Sequence, residues 1–258
     1  MCLLVVAWLS HPRYRLVLAG NRDEFHDRPA AALGWWPEAP GILAGRDLKA
    51  GGTWLGLARS GRFALVTNFR DPDDAPPAGS PSRGQLVPSF LAQGRDPARY
   101  LDELRPVAAR YAGFNLLVGD RAGLHYYSNA VSAGPRRLAP GVYGLSNHRL
   151  DEPWPKLVRT RERVAALLAD DDPAPAALFD VLADQTPMPT AVPAVAGLPA
   201  GLERALSAPF VRHEHYGTRC STIVLVEHGG RTVVHERRFD PSGAQTGVTR
   251  IAFAEPAG

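Results

Sequence analysis

The sequence predicts an α+β fold of four layers, two largely antiparallel sheets between helix pairs. Three observations lead there. The segments run as strands, two helices, strands, two helices and strands along the 258 residues. Neighbouring strands are joined by short turn-forming runs, so they pair as hairpins. The first strand, Cys2 to Leu9, is apolar without alternation, so both of its faces need cover. Two sheets packed face to face, with helices outside, supply that cover.

After Cys2 to Leu9, His11 to Arg13 is a turn. Tyr14 to Gly20 is a second strand that delivers Asn21-Arg22-Asp23-Glu24 at its end. Gly51 to Asn68 is a hairpin, TWLGLA and FALVTN around Arg59-Ser60-Gly61-Arg62. Asp71 to Ser82 is rich in proline, lacks an apolar period and predicts a surface loop. Gln85 to Gln93 is a helix with Leu86, Phe90 and Leu91 on one side. Asp96-Pro97 opens the next helix by N-cap and proline at N1, and Pro106 breaks it.

Phe114 to Gly119 and Leu124 to Asn129 form another hairpin, and Gly141 to Asn147 is a short strand. Pro155 starts a helix with Leu157, Val164 and Leu168 at helical spacing, and Ala174 to Ala183 is its partner. Thr186 to Pro199 reads as irregular. Cys220 to Glu227, Arg231 to Phe239 and Gly247 to Phe253 are three closing strands. No linker divides the chain, so residues 1–258 are read as one domain.

Composition narrows the function. The chain has 29 Lys plus Arg against 26 Asp plus Glu, a net charge of +3. The basic residues are scattered among acids and form no nucleic-acid reading module, so no nucleic-acid partner is expected. Two cysteines, Cys2 and Cys220, exclude a disulfide framework and a four-cysteine zinc site. His213 and His215 alone have ligand-like spacing, and a solvated pair explains them, so no metal is expected. No glycine-rich loop leaves a strand to open a helix, which argues against a nucleotide site.

The longest apolar run, Cys2 to Leu9, is short of the roughly 20 residues of a membrane-spanning helix. It also lacks the flanks of a signal peptide. The expectation is a cytoplasmic protein without stable membrane insertion.

Cys2 carries the chemistry. If Met1 is removed, Cys2 bears its thiol and a free α-amine on one Cα. Reference pKa values are about 8 for the amine and about 8.5 for the thiol, so the amine can take the thiol proton. Attack on an amide or ester then gives an acyl-enzyme. The alternative is a buried cysteine packing as a small hydrophobe.

Around Cys2 stand further motifs, in order: Asn21-Arg22-Asp23-Glu24, Gly51-Gly52-Thr53-Trp54-Leu55-Gly56, Thr67-Asn68-Phe69-Arg70, Ser82-Arg83-Gly84, Gly144-Leu145-Ser146-Asn147 and Tyr216-Gly217-Thr218-Arg219-Cys220-Ser221-Thr222. With Met1-Cys2 before an apolar strand, they resemble the NRDE family, also called the Transport and Golgi Organisation 2 family. That family is similar to the cysteine N-terminal-nucleophile hydrolases, such as penicillin V acylase and bile salt hydrolase. The resemblance implies their αββα sandwich. It also implies Cys2 as nucleophile, Asp23 as the holder of its amine, Asn68 and Asn147 in the oxyanion region and Arg219 beside the nucleophile. Arg22, Trp54, Phe69 and Arg70 are implied on the substrate side. Arg22 adjoins Asp23, whereas the hydrolases place residues between their Arg and Asp, so Arg22 and Asp23 fall on opposite sides of a continuing strand.

Each residue also has a purely structural alternative. Asn21 and Asp23 can form an Asx turn, Asn68 and Asn147 can cap turns, Gly51-Gly52 can allow close backbone passage, and Arg219 can be a surface ion pair.

Two functions therefore stand. One is an amide (C–N) hydrolase acting through Cys2 on a small-molecule amide without a cofactor. The other, implied by the resemblance, is haem binding or trafficking, or lipid or acyl-CoA homeostasis. It would hold a haem or lipid-like ligand in the same cleft without catalysis. Trp35, Trp36, Trp54 and Phe69 near the motifs favour this second class. Haem ligation calls for an axial side chain, and no haem-attachment motif accompanies the histidines.

Overall fold

The computed structural model describes residues 2–70, 78–131, 133–189 and 200–256. In chain order the elements begin with β1 (Cys2–Trp8), β2 (Tyr14–Phe25), β3 (Ala30–Trp36), β4 (Ala39–Asp47), β5 (Leu55–Ala58) and β6 (Phe63–Asn68). Then come α1 (Leu86–Ala92), α2 (Pro97–Leu104), β7 (Phe114–Gly119), β8 (Leu124–Ser128), β9 (Arg136–Leu138) and β10 (Gly141–Leu145). The chain closes with α3 (Pro155–Leu167), α4 (Pro175–Leu182), α5 (Ala200–Leu206), β11 (Tyr216–Glu227), β12 (Arg231–Phe239) and β13 (Gln245–Ala254).

Two compact units emerge. One comprises Met1–Asp27, Pro140–Ser146 and Leu150–Phe253, and the other Arg28–Ala139, Asn147–Arg149 and Ala254–Gly258. The first holds a six-stranded sheet in the order β10-β1-β2-β11-β12-β13. Helices α3 and α4 pack on this sheet. Val5, Ala7, Val17 and Ala19 meet Val164, Leu178 and Leu182 there. The alternate residues Leu4, Val6, Trp8, Leu16 and Leu18 are also buried, at 1% exposure or less. Both faces of β1 are thus buried, as its unbroken apolar run requires. Each buried valine or leucine side chain contributes about 1.5–3 kcal/mol.

The second unit holds a seven-stranded sheet in the order β3-β4-β5-β6-β7-β8-β9. Helix α1 packs on β4, β5 and β6, and α2 on β8. Asp96 caps α2 by accepting from the Arg99 N–H at 3.1 Å, with Pro97 at its first position. Arg62 closes the other end of α1. Its Nη2 donates to Phe90 O at 2.6 Å and Arg95 O at 2.7 Å, and its guanidinium lies 4.2 Å over the Phe90 ring.

Four corrections concern the elements. β2 runs to Phe25 instead of Gly20, because β11 pairs with it as far as Tyr216 opposite Phe25. The Asn21-Arg22-Asp23-Glu24 motif therefore lies inside a strand, not in an Asx turn at its end. For the same reason β11 begins at Tyr216 and not Cys220. Strands β3, β4 and β9 and helix α5 were not expected. The predicted loop at 71–82 and the irregular stretch at 186–199 lie outside the described residues over 71–77 and 190–199. Among the described residues, no helix is long and apolar enough to cross a membrane.

Candidate active site

The first group of motif residues sits where β1, β2 and β11 run side by side. Cys2 stands opposite Arg22, and Arg22 opposite Cys220. Residues directly opposite share a sheet face, so the two thiols flank the Arg22 side chain in one row. Arg22 pairs with Glu24 two residues on, at 3.5 Å. The next residue, Asp23, takes the other face, together with Asn21. This separation of Arg22 from Asp23 follows from the continuing strand.

Asp23 is 2% exposed. Thr218 Oγ1 donates to its Oδ1 at 2.7 Å, and the Tyr216 hydroxyl donates to its backbone oxygen at 2.7 Å. Burial holds the Asp23 carboxyl above its ordinary range, against the lowering influence of the amino terminus, Lys156, the Thr218 hydrogen bond and Arg22. Asn21 is structural: its Nδ2 donates to Leu182 O at 2.9 Å and Pro209 O at 3.0 Å, and its Oδ1 accepts from Ser221 Oγ at 2.6 Å.

Cys2 is held from both sides of β1. Ser146 Oγ donates to its carbonyl oxygen at 3.0 Å, which gives the Gly144-Leu145-Ser146 motif a direct task. Gly144 in the same motif leaves room for α3, since a Cβ there would lie 2.9 Å from Leu157 Cγ. The Cys2 thiol is pushed up to about 11, first by burial. The amino terminus opposes this, Asp23 adds to it, and Arg22 and a hydrogen bond to the Asp23 backbone lower it. At neutral pH the sulfur is therefore protonated and needs a base. Burial also raises Cys220, which packs as a small hydrophobe.

Arg219 is the extra residue where the β2–β11 register shifts between Thr218 and Cys220. Its Nη1 donates to Phe25 O at 3.1 Å and His26 O at 2.9 Å. The guanidinium thereby clamps the end of β2.

The second group lies in the other unit, at the end of β6. Asn147, wholly buried, donates from Nδ2 to Asn68 Oδ1 at 2.8 Å and to Asn68 O at 3.2 Å. The side-chain nitrogen of Asn147 is thus directed at Asn68. Asn68 Oδ1 is occupied, and its own Nδ2 has no hydrogen-bond partner among the described residues. Arg70 N donates to Asn147 O at 2.7 Å, and the Phe69 ring lies 4.8 Å from that of His148. Trp54 is half-buried, and its carbonyl takes Val66 N at 2.7 Å.

The glycine motifs explain each other. A Cβ on Gly52 would fall 2.4 Å from Gly84 C and O, and Thr53 N donates to Gly84 O at 3.0 Å. Gly51 has φ of 73°, in the left-handed region. Gly51-Gly52 and Gly84 therefore permit close backbone passage.

Sequence reasoning missed several residues that hold these groups. Asn115, wholly buried, donates to Thr67 Oγ1 at 3.2 Å and His148 O at 2.9 Å, and accepts from the Tyr126 hydroxyl at 2.7 Å. It ties β6 to the segment after β10. An apolar strand interrupted by one Asn, as in Phe114-Asn115-Leu116, was the available signal. Lys156 is a second omission, a buried lysine in the first turn of α3. Among the described residues, no group of three or more His, Cys, Asp or Glu is placed to hold a metal.

Comparison with known proteins follows the motifs. Residues 1–241 match the family described as Transport and Golgi organisation 2. The Transport and Golgi organization 2 homolog of Mus musculus is 34% identical over 257 residues, spanning 92% of this chain and 92% of that protein. The Homo sapiens homolog is 36% identical over 260 residues, with the same 92% shares. Among solved structures, the mutant C2A conjugated bile acid hydrolase from Clostridium perfringens aligns with 97% of this chain and 92% of its own, at 8% identity and a TM-score of 0.55. At that identity the likeness shows the fold alone, the sandwich of the N-terminal-nucleophile hydrolases. With the family matched over residues 1–241 and relatives above 30% identity along most of their length, the chain belongs to the Transport and Golgi organisation 2 family.

Proposed function

We propose that this protein is a cysteine amidohydrolase of the N-terminal-nucleophile type, acting on a small-molecule amide as a single cytoplasmic domain. Removal of Met1 makes Cys2 the first residue. Its α-amine takes the thiol proton, and the sulfur attacks the amide carbonyl carbon. Asn68 Nδ2, with backbone N–H groups, stabilises the oxyanion. The intermediate collapses to a thioester, and the leaving amine departs with the proton from the α-ammonium. Water then attacks the thioester, the α-amine takes its proton, and a carboxylic acid and the thiol are released. Asp23 holds the α-amine, and Arg219 stands beside the nucleophile. Arg22, Trp54, Phe69 and Arg70 face the substrate.

The observation that carries this reading is the register that sets Cys2 opposite Arg22, with Asp23 the next residue along the neighbouring strand. A protonated, buried thiol lies on the strand next to a buried carboxylate suited to hold an ammonium. The fold neighbour is named a conjugated bile acid hydrolase, and the C2A in its name marks a cysteine at position two, as here. The test is turnover of an acyl-amide library by Met1-free protein. Cys2→Ala should abolish hydrolysis, and unchanged turnover in that variant refutes the reading.

A second reading, a haem or lipid-like ligand held without catalysis, draws on the half-buried Phe69 ring beside His148. On that reading haem shifts its Soret band on addition to the protein, and His148→Ala removes the shift. No spectral change at micromolar haem dismisses it.

A further inference from the structure

Asn115 is a wholly buried amide inside an apolar strand. Its β7 neighbours Phe114, Leu116, Leu117 and Val118 are wholly buried as well. A valine or leucine would fill the same place with no polar group to satisfy, so the amide must be bonded. It is: Nδ2 donates to Thr67 Oγ1 at 3.2 Å and to His148 O at 2.9 Å, and Oδ1 accepts from the Tyr126 hydroxyl at 2.7 Å. The His148 carbonyl can only accept, which fixes the amide in one orientation.

The two acceptors are the chain neighbours of the paired asparagines. Thr67 precedes Asn68 at the end of β6, and His148 follows Asn147 in the stretch after β10. Asn115 stands opposite Thr67 in the β6–β7 ladder, so the ladder sets where its amide lies. Residues 147–149 belong to none of the strands, and the Asn115 amide reaches out to their backbone. Beside this contact, Arg70 N donates to Asn147 O at 2.7 Å, and Asn147 Nδ2 donates to Asn68 Oδ1 at 2.8 Å. Oδ1 and Nδ2 of Asn68 share one planar amide, so the bond that holds Oδ1 also aims Nδ2. A displaced His148 carries Asn147 with it and loosens that aim.

We propose that Asn115 is a positioning residue: it holds the Asn147 stretch against β6 and, through Asn147, aims the Asn68 amide at the oxyanion. This rests on the reading of Cys2 as nucleophile and Asn68 as oxyanion donor. Two reactions of the same sulfur separate that role from a general support of the fold. With p-nitrophenyl acetate, Cys2 takes the acetyl group as a thioester, nitrophenolate leaves, and the thiol proton passes to the α-amine; the step runs through a tetrahedral oxyanion. With iodoacetamide, the sulfur displaces iodide at a saturated carbon, and no oxyanion forms. Asn115 should therefore matter to the first reaction and not to the second.

The experiment compares Met1-free wild type with Asn115→Ala and Asn115→Asp. Alanine removes all three bonds. Aspartate keeps the volume and the acceptor for Tyr126 but gives up the amide donor, so at least one variant should fold. Acetylation of Cys2, read by intact mass, should slow by about 10–100-fold in the variants. Alkylation of Cys2 by iodoacetamide should keep its wild-type rate. Acetylation at the wild-type rate in a folded variant overturns the proposal. An equal fall in both reactions marks a merely structural amide and also overturns it. Proton exchange of the Asn147 side-chain amide, followed by NMR, needs no turnover. It should be faster in the variants, and unchanged exchange overturns the proposal by itself. The reading beneath fails separately, if Met1-free wild type is never acetylated at Cys2; the exchange measurement still decides whether Asn115 holds Asn147.

Discussion

At pH 8, Cys2 in protein that keeps Met1 should react with iodoacetamide about ten times more slowly than an exposed cysteine. Burial pushes the thiol up from 9.0 to about 11. Two pH units make the reactive thiolate about 100-fold scarcer at that pH. A more basic thiolate is a better nucleophile, and a Brønsted slope of about 0.4–0.5 returns a factor of nearly ten. The net is about tenfold, before the 6% exposure of Cys2 slows access further. Mass spectrometry of alkylated peptides gives the rate, with the same protein in denaturant as reference. The pH profile is the sharper readout: the logarithm of the rate should climb steadily through pH 10, whereas an exposed cysteine flattens near pH 9. Cys220, raised by burial, is an internal control that should react more slowly still. In Met1-free protein the neighbouring α-amine should restore the missing factor at pH 8. A plateau near pH 9 in the Met1-bearing form, or a rate equal to that of the denatured protein, refutes the burial argument.

Gly52→Ala should destabilise the protein by about 2–4 kcal/mol, since the Cβ at 2.4 Å from the Gly84 backbone forces overpacking and breaks the Thr53–Gly84 hydrogen bond. Thermal unfolding followed by circular dichroism reads this as a Tm lower by several degrees, and an unchanged Tm contradicts the close-passage account. Asp23→Asn should melt no lower than wild type near pH 7 while losing acylation. The folded state binds the Asp23 proton more tightly than the unfolded chain, so this contribution is complete below pH 3.8 and is lost as pH rises through the folded value. Asparagine removes that dependence and can still accept from Thr218, so its Tm should fall less between acid and neutral pH. Asn147→Ala should cost kcat in wild type and almost nothing more in an Asn68→Ala background, because the Asn147 side-chain nitrogen donates to Asn68. Additive losses in that cycle would make Asn147 an oxyanion donor in its own right.

The legible parts of the fold are those governed by local chemistry. The β5–β6 hairpin turns at Gly61, whose φ of 83° only glycine adopts readily, and α2 starts on its Asp96 cap. The parts missed depend on distant partners. Asn21 to Phe25 stay extended because β11 pairs with them from almost 200 residues away, and nothing in that motif announces it. The β3 sequence Ala-Ala-Ala-Leu-Gly-Trp-Trp lacks alternation because its first alanines are exposed at a sheet edge. The site follows the same division. Residue types and order identified Cys2, Asp23 and Asn68 as candidates. That Arg219 clamps Phe25 and His26, that Asn147 serves Asn68, and that Asn115 and Lys156 matter at all depends on long-range packing.

The most direct test is the intact mass of purified protein before and after incubation with an electrophilic acyl probe. The account predicts a chain lacking Met1 that gains one acyl group, mapped to Cys2 and absent in Cys2→Ser. A chain that retains Met1, or a Met1-free chain that stays unmodified while its fold is intact, would contradict it.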